Sequence, residues 1–177
     1  PVEFIAKPLN NTTLPAEDRA ELVAFQQKLA ELGRVVRGSE DFAYDIMKRV
    51  KSDKQAAQQT PDADRELMEE IEKLEAEMDN ILWKFNGQQA KASEEENLPA
   101  PPSINERLNS IIYTHYSSTT GVTQTQREVY EILKEEFPPV LNELKTIYEN
   151  RLPAIEKMLE NAGAPWTPGR IPEWNIE

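Results

Sequence analysis

Six apolar residues, Leu67, Ile71, Leu74, Met78, Ile81 and Phe85, follow one another at alternating steps of four and three within the most acidic stretch of the chain. Steps of that kind place all six on one stripe of an α-helix and leave its other faces to charged residues, so the segment is built to pack against other helices. The ladder predicts a helix over about 62–88, opened by the breaker and cap Thr60-Pro61-Asp62 and frayed by Asn86-Gly87.

The same period recurs on both sides. Leu22, Phe25, Leu29, Leu32, Val36, Ser39, Ala43, Ile46 and Val50 form a longer seam. It predicts a helix over about 16–58, with Thr13 as cap, Pro15 in the first turn, and Glu17 and Asp18 at the positive end. Gly33 and Gly38 fall inside it and each weakens a helix by about 1 kcal/mol, yet the phase runs through both. A bend is expected where the seam is thinnest, between Gly38 and Ala43. Ser103 with Glu106 is a capping box opening a short helix whose apolar positions are Ile104, Leu108, Ile111 and His115.

The last helix is predicted over about 124–162. Tyr130, Leu133, Phe137, Val140 and Leu144 share one phase; Tyr148, Leu152, Ile155 and Leu159 share another, one step out of register. Pro138, Pro139 and Pro153 lie within it, which predicts a rod kinked near Phe137, with Gly163 as a left-handed cap. At 1.5 Å per residue the two long helices span roughly 65 and 58 Å, whereas a compact globule of this length is only about 40 Å across. They must lie side by side. The middle helices, roughly 40 and 22 Å long, either stack end to end as a third layer or form a four-helix up-and-down bundle. Either way the fold class is all-α: one elongated antiparallel bundle domain spanning 1–177, with an extended lead-in at 1–14, a linker at 88–102 and an extended tail at 163–177.

Composition narrows the partners. The chain has 177 residues, 38% of them hydrophobic, with a formal net charge of −12. Residues 62–96 hold twelve acids against four bases, whereas residues 1–61 are balanced at nine each. Nucleic acid and anionic membranes are poor partners for such a surface, because both are bound by clustered Lys and Arg. No run of about 18 apolar residues exists to insert into a membrane. The absence of cysteine excludes disulfides, thiolate metal sites and cysteine nucleophiles.

Candidate chemistry is sparse. His115 is the single histidine, so a di-iron site with two Glu-x-x-His motifs fails on count, and its place on an apolar phase reads as a buried, hydrogen-bonded core residue. Glu69/Glu70, Glu94/Glu95/Glu96 and Glu135/Glu136 read as solvated acids, since acid–base work needs one partner desolvated in a cleft. There is no glycine-rich phosphate loop, and no cofactor is expected. Asn10-Asn11-Thr12-Thr13 holds two overlapping glycosylation sequons.

The tail Ala162 to Trp174 is the least generic segment. Its three prolines stiffen it, and Trp166, Ile171 and Trp174 are apolar side chains in search of a surface, either their own bundle or a neighbour. Trp166, Arg170, Ile171 and Trp174, with Trp83 beside the ladder, are the candidate contacts to a neighbouring domain or partner. At the other end, Pro1-Val2-Glu3-Phe4-Ile5 alternates like a strand with no partner downstream. This fits a piece of a larger protein, or a chain that has lost its initiator Met.

The run Pro101-Pro102-Ser103-Ile104, the segment Thr123-Gln124-Thr125-Gln126-Arg127, the run Glu136-Phe137-Pro138-Pro139-Val140-Leu141 and the tail from Gly163 to Trp174 together resemble a family's C-terminal helical region. The family is that of large bacterial glycosyl-hydrolase-like proteins carrying BNR-type repeats in a sialidase- or sortilin-like β-propeller. Phe4-Ile5-Ala6-Lys7-Pro8-Leu9 is similar to the strand that ends the small β-domain preceding that region. The resemblance implies no catalytic, metal or cofactor residue here. It implies export to the periplasm or cell surface, with any hydrolase chemistry upstream. The expected role is a non-catalytic accessory domain that packs against the parent's β-propeller and β-domain or mediates assembly. A wall of a glycan-cleaving or glycan-binding site, and a weakly self-associating coiled coil, are the alternatives.

Overall fold

The computed structural model describes residues 2–5, 16–88, 99–172 and 174. The sequons, the Thr13 cap and the glutamate run of the linker lie outside them. Every regular element among the described residues is helical: α1 (Arg19–Gln58), α2 (Arg65–Asn86), α3 (Ile104–Ser117), α4 (Gln124–Thr146), a π-turn (Ile147–Arg151) and α5 (Leu152–Asn161).

α1 runs 40 residues through both glycines without interruption. Its cap is Asp18, whose carboxylate accepts from the Glu21 N–H at 2.9 Å. α2 likewise starts later than predicted, because the residue that captures a free N–H is Asp64 and not Asp62. The α3 capping box is present in both halves: Ser103 Oγ accepts from the Glu106 N–H, and the Glu106 carboxylate accepts from the Ser103 N–H at 2.7 Å.

The lanes of the bundle can be followed by their cross-contacts. Lys54 on α1 reaches Glu75 on α2, and Tyr44 meets Asn86 one helix end further on. α3 then continues in the same direction along α1: Asn105 meets Glu40, and the His115 ring lies 5.6 Å from that of Phe25. α2 and α3 therefore share one lane, end to end, antiparallel to α1. Asn105 pins their junction, its Nδ2 donating to both Glu40 of α1 and Asn86 of α2. Gly87, at φ +71°, sits where an added Cβ would lie 3.4 Å from Cβ of Ser103. α4 and α5 return parallel to α1, from the Arg127–Glu21 pair at one end to the Arg49–Glu156 pair at the other. The result is the three-layer arrangement and not the four-helix alternative.

The third lane carries the chief departure from the predicted pattern. α4 passes through Pro138 and Pro139 without a break, although their missing N–H groups strip the carbonyls of Lys134 and Glu135 of donors. All four residues are exposed, so those carbonyls are not shut into the apolar core. That continuity is as predicted; the interruption that was not predicted comes at 147–151, where the Leu152 N–H bonds to the Ile147 carbonyl five residues back. A π-turn inserts one residue, and the seam needs one there: Leu144 and Ile147 are buried, then Leu152, Ile155 and Leu159. Tyr148, placed on the seam by sequence, is exposed, and Ile147 takes its position. Pro153 supplies the local cause, because its ring would strike the carbonyl four residues earlier in an unbroken α-helix.

The ladder of α2 is the centre of the core, with Ile71, Leu74, Met78, Ile81 and Phe85 fully buried. Leu74→Ala should lower unfolding stability in urea by about 2–5 kcal/mol, while Asp79→Ala, on the solvent face, should change it by less than about 0.5 kcal/mol. Gly33→Ala should raise stability by about 0.5–1 kcal/mol, since its new Cβ meets Ile112 and Leu108 at the ordinary distances of 3.7 and 3.9 Å.

Candidate functional site

The tail is fastened before it projects. Gly163, at φ +70°, closes α5 with two bonds, from its own N–H to the Glu160 carbonyl and from the Ala164 N–H to the Leu159 carbonyl. Three residues on, the Thr167 hydroxyl donates to Asp53 Oδ1 on α1 at 2.5 Å, with both residues buried. Gly169 lies directly over Arg49, where a Cβ would fall 2.8 Å from the guanidinium Nε, and its φ of +95° is one that side-chain-bearing residues rarely adopt. Arg49 is held by Glu156 of α5.

Arg170 completes the clasp. Its guanidinium stacks on the Trp166 ring at 4.5 Å and faces Glu160 at 3.7 Å. The side chain is 4% exposed, so of the five candidate contacts this one is covered by its own chain, with both terminal nitrogens lacking a hydrogen-bond partner among the described residues. Trp166 is half-exposed beneath it. Ile171 and Trp174 have not found the bundle surface: they are 85% and 86% exposed. Trp83, also half-exposed, lies elsewhere, in a cleft of about 280 Å³ between α2, α4 and the approach to α3, beside Pro101, Pro102 and Pro139. The polar groups of that cleft are already engaged, Lys84 with Glu143 and Glu136 with Arg107.

Asp53, Thr167, Arg49 and Glu156 were not among the residues singled out from sequence. Asp53 was legible: it stands three positions beyond Val50 on the α1 seam, where an apolar residue belongs, and it is followed by buried Ala56 and Ala57. Burial pushes its carboxyl pKa up, against the lowering effect of the Thr167 hydrogen bond; Glu156 adds to the rise while Arg170 and Arg49 oppose it. Its Oδ2 is buried without a partner.

A second feature lies at the other end of α1, between α1 and α3. The absent side chain of Gly33 thins the wall there, and a cavity of about 540 Å³ opens over Leu29, Ala30, Gly33 and Ile112. Gln26, Arg34 and Arg37 stand at its rim. His115 closes one side, and here the expectation from sequence needs correction: the residue is only partly buried, and its Nε2 is buried with no hydrogen-bond partner among the described residues. Desolvation pushes its pKa down, so at neutral pH the imidazole is uncharged.

Among the described residues no group of three or more His, Asp or Glu side chains is placed to hold a metal ion, and no helix is long and apolar enough to cross a membrane. Of the paired acids, Glu70 is not simply solvated: it bonds Lys73 and Arg151. Comparison of the chain with protein-family models, with curated proteins and with solved structures finds no match.

The clasp makes a pH prediction. With its pKa raised in the docked state, Asp53 binds its proton more tightly there than in a released tail, so docking is strongest below the ordinary carboxylate range and weakens as pH rises through the raised value. Hydrogen exchange of the Arg170 amide, corrected for intrinsic rate, should show easier tail opening at pH 7 than below the ordinary carboxylate range, at about pH 3.5. Asp53→Asn should flatten that dependence, and Thr167→Val should cost docking about 1–3 kcal/mol by leaving the buried carboxylate without a donor.

Proposed function

We propose that the chain is a non-catalytic helical accessory domain of an exported glycosyl-hydrolase-like protein, packing against that protein's β-domains through the end of its tail. The observation that carries this reading is the contrast within ten residues of tail. Thr167 and Arg170 are buried in a clasp, and immediately beyond them Ile171 and Trp174 stand almost fully in water. A fastened base presenting two large apolar side chains is a low-entropy anchor, and burying each of them against a neighbour contributes about 1.5–3 kcal/mol. The lead-in adds a second apolar group, with Phe4 and Ile5 each 87% exposed. The choice of a β-domain as that neighbour rests on the resemblance of residues 101–174 to the helical region of BNR-repeat proteins.

The alternatives draw less from the structure. The Trp83 cleft offers a stacking face but few unengaged polar groups for a sugar. Self-association through the ladder lacks a free seam, because the ladder is buried within the chain.

The test compares this chain with the same chain extended upstream through its reading frame. Hydroxyl-radical footprinting should show Trp174 protected in the extended protein and reactive in the 177-residue chain. Trp174→Ala should lower the Tm of the extended protein and leave that of the short chain unchanged. Equal reactivity of Trp174 in both, or a stop codon directly upstream of Pro1, would overturn the proposal.

A further inference from the structure

The cavity between α1 and α3 is not used by the docking role, and its chemistry points to a ligand. Its floor is apolar, of Leu29, Ala30, Gly33 and Ile112. Two polar groups at it are unspent. Among the described residues His115 Nε2 is buried without a partner, and Arg37 at the rim has neither a hydrogen bond nor an ion pair, whereas Arg34 beside it is held by Glu31. A buried ring nitrogen left unpaired costs free energy that a bound polar group would recover. In a chain of net charge −12, an unpaired guanidinium over a hydrophobic floor is a local reversal of sign. The volume, about 540 Å³, lies within the span of small-molecule sites.

We infer that this cavity binds a free single-chain carboxylate amphiphile, with its hydrocarbon on the Gly33 floor and its carboxylate between Arg37 and His115. Arg37 matches the two carboxylate oxygens with its planar fork. His115, uncharged at neutral pH, offers one ring N–H to the head group. The neighbouring groove between α1 and α4, over Leu32, Val35, Tyr130 and Phe137, is as large but shallower, and among the described residues it has no buried unpaired polar atom. Size alone therefore does not select the site.

The probes are sodium octanoate and 1-octanol, which share a tail and differ in charge, titrated into the 177-residue chain and followed by NMR. Octanoate should bind saturably, with shifts centred on Gly33, Ile112 and His115, and about tenfold more tightly than octanol. Arg37→Gln, an exposed position that leaves the fold intact, should reduce octanoate affinity to that of octanol. His115→Leu should weaken octanoate and spare octanol. Gly33→Leu should block both by filling the floor, and if that variant does not fold, Arg37→Gln decides. Equal affinity for octanol, shifts centred on the α1/α4 groove, undiminished binding by Arg37→Gln, or binding to phosphatidylglycerol vesicles in place of free octanoate would each overturn the inference.

Discussion

Every lane of this bundle is arranged around the need to cover one apolar stripe on α2. The helix is too acidic to be buried on more than that stripe, so the ladder from Leu67 to Phe85 must be enclosed by neighbours that leave its other faces wet. α1 lies along it on one side, and the α4–α5 lane lies along it on the other. Because α2 is about half as long as α1, α3 has to follow it in the same lane to complete the layer, which is why the junction at Gly87, Ser103 and Asn105 is so closely fitted. The third lane must stay in phase with the ladder over its whole length. The π-turn at 147–151 keeps it there, adding one residue where the α-helical period would have turned Leu152 and Ile155 away from the core.

Charge follows the same logic. The acids that flank the ladder face the cations of adjoining lanes: Glu75 meets Lys54 of α1, while Glu70 and Glu77 meet Arg151. Such partly exposed pairs stabilise little, about 0–1 kcal/mol each. Their value lies in discrimination, since a helix with this pattern of acids fits beside those cations in one register and is repelled in others. The acidic surplus of α2 is thus divided between a solvated face and two lane boundaries.

The helices were legible because their periodicity is long and unbroken, and the all-α bundle followed from their lengths. What escaped sequence reading shares a physical character. The Asp18 and Asp64 caps were displaced because several Asp, Ser and Thr residues near a helix start compete for the same N–H groups. The phase slip after Leu144 was visible, but its resolution as a π-turn depended on the steric demand of Pro153 against a carbonyl. The clasp pairs Asp53 with a threonine 114 positions away, and no local pattern reports such a contact. The tail tryptophans were legible as unusual; that Trp166 would be pinned under Arg170 while Trp174 stood free was not, because the two differ only in whether a bundle groove lies within reach.

The same economy leaves two surfaces unspent, the projecting tail end and the Gly33 cavity, and both rest on the three-lane geometry. That geometry is open to a direct distance measurement. The chain has no cysteine, so spin labels can be placed cleanly at Arg65, near the start of α2, and at Tyr113, near the end of α3. Both side chains are exposed. With α2 and α3 end to end in one lane, pulsed electron-spin resonance should give a single separation of about 45 Å or more. A main population below about 25 Å, as expected if α2 and α3 ran side by side in opposite directions, would contradict the account.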